Sequence, residues 1–266
     1  MNYTYLSETV GIKTISEDSK KGVFEVEGLY SGYGLTVGNA LRRALLSSLP
    51  GAAITYIKIK NAQHEFSTLP GIKEDLVDLT LNFKRLRFKM HTDETQVLTL
   101  KVKGQHEVTA GDIKASSSVD IINPEEHIAS LTSKDAELDV EITVEKGLGY
   151  SSVESRKEKK LTVGLIGIDA FFSPVRKVNY IVDNMRVGEH TDYNRIRLEI
   201  ETDGTVSPSS ALHKTANILN DHFQKVSAVS VQEFELAVRK PSKASKKEKE
   251  EEGEETSKKK PRAKKA

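Results

Sequence analysis

"GLTVGNALRRALLSSLPG", residues 34–51, decides how the rest of the chain is read. Its apolar residues recur at helical intervals and Pro50-Gly51 close the run, so the spacing predicts an amphipathic helix. Val37, Ala40, Leu41, Ala44, Leu45 and Leu49 fall on one stripe that must be buried. Leu46 stands about 180° from Val37 at helical spacing, between Arg42 and Arg43 and beside Asn39. A leucine set between two guanidinium groups, opposite the core stripe, has the composition of an interface anchor, because arginine is enriched at such contacts and apolar burial supplies their energy.

Outward from that helix, alternation dominates. "VFEVEGL", "AITYIKIK", "VLTLKVKG", "AELDVEITVEKG" and "RIRLEIET" place an apolar residue at every second position, the pattern of strands with one wet face. Two further stretches switch to helical spacing. In "TLPGIKEDLVDLTLNFKRL", Ile72, Leu76, Leu79 and Phe83 line one face behind Pro70. In "TVSPSSALHKTANILNDHFQKV", Ser207 caps, Pro208 opens the helix, and Leu212, Leu219, Phe223 and Val226 supply the stripe. The order strands, helix, long strand-rich middle, strands, helix reads as an α+β fold of antiparallel sheets. It places a mostly β insertion, residues 52–178, between the halves of a discontinuous domain, 1–51 and 179–239.

Composition separates a body from a tail. From Lys240 to Ala266 the chain holds 11 Lys/Arg against 6 Asp/Glu, while residues 1–239 hold 29 against 33. A stretch so charged, with no aromatic or branched aliphatic residue, is expected to stay disordered, either simply solvated or in weak, salt-sensitive contact with nucleic acid. There are no cysteines among the 266 residues, which removes disulfides and thiolate chemistry together. Neither a signal peptide nor a membrane-length apolar run is legible, so a cytoplasmic protein is expected.

No catalytic constellation is legible. Gly32, Gly34 and Gly38 invite a phosphate-loop reading and hence a nucleotide-binding enzyme, but the spacing is GxGxxxG without a following Lys-Ser/Thr, which favours a tight turn before the helix. The seven histidines form no HxH or HxxxH pair, and His64 in "NAQHEFST" stands out only by position. There is no G-x-S-x-G elbow. Glu74 and Asp75, like Glu125 and Glu126, are sequence neighbours, which diverge on a helix.

The helix quoted above, with "HEFSTLPGIKEDLVDLTLNFK", "GLGY" at 147–150, "DAFFSPVRKVNY" and "ETDGTVSPSSAL", resembles the N-terminal region of alpha subunits of bacterial-type DNA-directed RNA polymerase, from about residue 28 to about residue 234. The resemblance implies a homodimer whose helices, here 36–49 and about 208–228, pack against those of a second copy, with Leu41, Leu45, Leu212, Leu219 and Phe223 at the contact. It implies a platform for the beta and beta-prime subunits, with omega, sigma factor and DNA met through the whole complex. Arg43 matches a beta-contacting position with Leu46, Arg42 and Asn39 beside it. His64 and Lys84 match further beta contacts, and Ser173, Val175, Arg176 and Lys177 a region used toward beta-prime. No cofactor is expected on this chain, the catalytic magnesium belonging to beta-prime. The family's usual C-terminal DNA-binding helical domain has no counterpart legible after Val238. A free-standing homodimeric adaptor of the same fold is the alternative.

Overall fold

A computed structural model of the chain describes residues 8–62, 64–156 and 164–229. In chain order its elements are β1 (Gly11–Glu17), β2 (Lys21–Leu29), α1 (Tyr33–Ser47), β3 (Pro50–Ile59), α2 (Leu76–Arg85) and β4 (Phe88–Met90). There follow β5 (Gln96–Lys103), β6 (His106–Thr109), β7 (Ile113–Lys114), β8 (Val119–Ile121), β9 (His127–Leu131), β10 (Glu137–Leu148) and β11 (Tyr150–Ser151). Last come β12 (Leu165–Gly167), β13 (Ala170–Phe171), β14 (Val175–Val187), β15 (His190–Thr202) and α3 (Pro208–Ser227). The architecture is α+β with antiparallel sheets, as the alternation predicts. The charged stretch from Lys240 lies outside the described residues.

A four-stranded sheet in the order β1-β2-β15-β14 joins the two ends of the chain. Its central pairing, with Phe24 opposite Leu198 and Val26 opposite Ile196, puts four apolar side chains on one face. α1 lies on that face. Leu41, Leu45 and Leu49 pack there with Phe24, Val26, Val178, Ile196 and Leu198, joined by Ala211 and Leu212 of α3. Burying each such leucine contributes about 1.5–3 kcal/mol, which is why the stripe holds the helix down.

The middle of the chain builds a second sheet, β7-β5-β10-β3-β4-β8, with β12 pairing β3. Its core runs from Ile54 to Ile168 and takes in Leu76, Leu79 and Phe83 of α2. A small third cluster of Ala53, Ala170 and Phe172 is separate from both. Residues therefore change core between Leu49 and Ile54, and again between Ile168 and Val175. The borders read from sequence, 51/52 and 178/179, both fall inside strands, β3 and β14. By compactness the chain divides after Gln224. Beyond that point the structure describes only 225–229, and α3 ends at Ser227.

Three helix limits differ from the sequence reading. α1 begins at Tyr33 and ends at Ser47, because Ser48 closes it through its N–H to the Ala44 carbonyl; Pro50 and Gly51 already belong to β3. α2 begins only at Leu76, where the Asp75 carboxylate accepts from the Asp78 N–H at 2.7 Å. Pro70 and Ile72 precede it in the loop. Gly71 adopts φ +79°, which no helix accommodates, and Ile72 bridges to Leu131. α3 starts at Pro208 as expected, with the Ser207 hydroxyl accepting from the Ser210 N–H.

Candidate functional site

The glycine turn before α1 shows what its amides are for. Gly32, at φ +84°, is the N-cap and offers no side chain. Asn194 of β15 replaces it: its Oδ1 accepts from Gly32 N–H at 2.9 Å and Gly34 N–H at 3.2 Å, while its Nδ2 donates to Asn184 Oδ1 at 3.1 Å. The donors that a phosphate would need are therefore engaged inside the protein. Gly34 and Gly38 have no room for a side chain either, since an added Cβ would stand 2.5 Å from Val182 and 2.7 Å from the Tyr180 ring. The nucleotide reading loses its structural basis, and the glycines serve close packing of α1 on the sheet.

With α1 so anchored, its far side is displayed. Leu45 is 0% and Ala44 7% exposed, whereas Leu46 is 37% exposed with Asn39, Arg42 and Arg43 also turned outward. The Leu46 carbonyl accepts from the Ser173 hydroxyl at 3.2 Å, so the end of the helix is tied to the strand segment before β14.

That segment explains where the remaining expected residues stand. Ser173 and Val175 are buried, at 5% and 1%, and so position their neighbours instead of meeting a partner. Arg176 and Lys177 are both exposed, although successive strand residues should alternate. A register shift between Val175 and Lys177 against β15 is the cause: the bulge spends one extra residue and turns two cations to the same solvent side. Phe172 reaches the other way, its ring against Gly147 and its carbonyl where a Cβ on Gly51 would come within 1.9 Å.

His64 is exposed in the β3–α2 loop, close to Phe66 at 76% exposure. The loop is fastened from its far end by Glu74, whose Oε2 accepts from Ser130 N–H at 2.8 Å, and whose Oε1 accepts from the Ser130 hydroxyl at 3.0 Å and lies 3.2 Å from His127 Nε2. Burial pushes this carboxyl's pKa up, but the bonds from Ser130 and His127 outweigh it and hold the group below its ordinary value. Lys84, exposed on α2, has its Nζ 3.8 Å from Asp169 Oδ2. Asp169 Oδ1 accepts from Val153 N–H at 3.0 Å. That bond, with Tyr150, Lys84 and Arg156 nearby, keeps its carboxyl below the usual range against a smaller opposing effect of desolvation.

The residues expected at a dimer contact divide. Leu41, Leu45 and Leu212 are 9%, 0% and 7% exposed and pack in the protomer's own core, which leaves little of their surface for a second copy. Leu219 is half-buried, and Phe223 is 62% exposed. Sequence reading missed Asn194, Asp169 and the aromatic pair Tyr150–Phe171. Asn194 left a signal as a polar residue at the head of the alternating run "NRIRLEIET", and Tyr150, Asp169 and Phe171 lie within the quoted "GLGY" and "DAFFSPVRKVNY" without any periodicity to mark their roles. Among the described residues, no group of His, Asp and Glu is placed to hold a metal, and no helix is long and apolar enough to cross a membrane.

The family described as RNA polymerase Rpb3/RpoA insert domain matches residues 57–173, the stretch that builds most of the second sheet. The chain is 46% identical over 224 residues to the DNA-directed RNA polymerase subunit alpha of Symbiobacterium thermophilum, covering 84% of this chain and 71% of that one. It is 49% identical over 207 residues to that of Moorella thermoacetica, covering 78% and 66%. With Desulforamulus reducens the identity is 46% over 227 residues, covering 85% and 72%.

Proposed function

The chain belongs to the family of DNA-directed RNA polymerase alpha subunits, and on that premise we propose that two copies form the platform on which beta and beta-prime assemble for transcription. The observation that carries the reading is Leu46, 37% exposed on a helix that buries Leu41, Ala44 and Leu45 on its other side, with Arg42 and Arg43 outward on either side. A leucine left open between outward guanidinium groups has the makeup of an anchor by which a partner is held. In this reading Arg43, Leu46, His64 and Lys84 face beta, and Arg176 and Lys177, set outward by the bulge, face beta-prime. The two halves that share the first core, up to Leu49 and from Val175, serve dimerisation, and the stretch from Ile54 to Ile168 forms the insert. Nucleotidyl transfer and its magnesium are assigned to beta-prime, and the working compartment is the cytoplasm.

Symmetry adds a constraint. A two-fold dimer presents each docking face twice, yet the complex takes one beta and one beta-prime. The first large subunit to bind must therefore cover the competing face on its own copy, which leaves the other copy for the second. Co-purification tests the reading: Arg43→Ala is expected to remain dimeric and to stop bringing down beta. Unchanged capture of beta by that variant would reject it.

A further inference from the structure

The two ends of the proposed beta-facing surface, Arg43–Leu46 on α1 and Lys84 on α2, lie on different hydrophobic cores. The segment of the two-stranded ladder β11–β13 is bonded toward both. One end of its segment is tied to α1, since Phe171 is two residues from Ser173, which bonds the Leu46 carbonyl. The other end is tied to α2, since Asp169 immediately precedes β13 and pairs with Lys84.

Within the ladder Tyr150 stands directly opposite Phe171, and opposed residues of an antiparallel pair share a face. Phe172, the next residue, points the other way into Gly147 and is 7% exposed, so Phe171 and Tyr150 look outward, at 43% and 59% exposure. Asp169 lies near the Tyr150 hydroxyl. Leu81, 52% exposed and one turn before Lys84 on α2, extends the apolar surface on that side. Two large aromatic side chains in the open, in a segment bonded to the arginine-bearing helix on one side and to a lysine on the other, have the makeup of the energetic centre of an interface.

We infer that Tyr150 and Phe171 form the central anchor of the beta-docking surface, joining the α1 and α2 contacts into one continuous face that takes an apolar projection of beta flanked by carboxylates. The inference rests on the reading of Arg43 and Leu46 as facing beta, with which this surface is continuous through Ser173. A second copy of this chain is the competing occupant.

The test uses the full chain and beta, with Tyr150→Ala, Phe171→Ala, Tyr150→Phe and Arg43→Ala compared in capture of beta, in dimer mass and in thermal stability. The two alanine variants are expected to stay dimeric and to weaken capture at least about tenfold, as aromatic hot spots do, while Tyr150→Phe keeps most of it. A photo-crosslinking amino acid in place of Phe171 is expected to attach to beta, a readout that does not depend on loss of binding. Full capture by both alanine variants, with Arg43→Ala deficient, would overturn the anchor and leave the platform standing. Full capture by all of them would overturn both. Loss of the dimer, or a crosslink to a second copy of the chain, would overturn the anchor by giving the patch to self-association.

Discussion

At residue scale, Asn194 decides whether α1 can present anything. It supplies across the sheet the cap that Gly32 cannot, and it is 7% exposed. Asn194→Ala would leave the buried Gly34 N–H without its acceptor and free the part-buried Gly32 N–H to water, and should lower stability by about 1–3 kcal/mol in urea titration. An unchanged unfolding midpoint would remove the cap from the account. Glu74 makes a pH-dependent contribution. Its carboxyl is held below the ordinary 4.5 in the folded chain, so the stabilisation is complete above that value and is lost as pH falls through the lowered folded-state pKa. Glu74→Gln is therefore expected to flatten the acid side of the stability profile, measured by denaturation between about pH 3 and 6. An acid limb as steep as the wild type's would show that the Ser130 and His127 bonds do not favour the charged form.

At element scale, α1 was the most legible part of the molecule, because a 3.6-residue period records which side is inside, and Leu41, Leu45 and Leu49 went there while Arg42, Arg43 and Leu46 did not. The period cannot say what buries a stripe. Leu41 and Leu45 read equally well as dimer contacts until the sheet formed by β2, β14 and β15 is in place to cover them. α3 shows the converse: Leu212 is covered by the protomer, whereas Phe223, on the same sequence stripe, remains 62% exposed. The two kinds of position should separate experimentally. Leu45→Ala is expected to cost the protomer about 2–5 kcal/mol of stability, as truncation of a buried leucine does. Phe223→Ala is expected to leave protomer stability nearly unchanged and to raise the dimer dissociation constant in sedimentation equilibrium. A Phe223→Ala dimer as tight as the wild type would move the self-association surface elsewhere. Turns and bulges were illegible for a different reason. Gly71's positive φ and the Arg176 bulge are imposed by partners far away in sequence, Leu131 beside the first and Thr202 and Glu201 beside the second.

At the scale of the whole molecule, two cores follow from the order of the elements, since the chain's ends pair in β2–β15 and its middle closes its own sheet. The sequence pattern exposes that division because alternation and helical runs recur on either side of a long strand-rich stretch. It hides the connection between the cores. Phe172 packs on Gly147, Asp169 meets Lys84 and Ser173 reaches Leu46, three contacts from five residues, none periodic and each meaningful only once both sheets exist. That short segment is bonded to both α1 and α2, and in the proposed assembly it helps shape the face offered to a large subunit. In the proposed assembly the outward face of α1 holds that subunit without taking part in forming the dimer. Native mass measurement of the chain mixed with beta tests it most directly: the wild type should give two copies with one beta, and Arg43→Ala the dimer and beta as separate species. A stable complex with Arg43→Ala at wild-type stoichiometry, or a wild-type chain that leaves beta unbound, would contradict it.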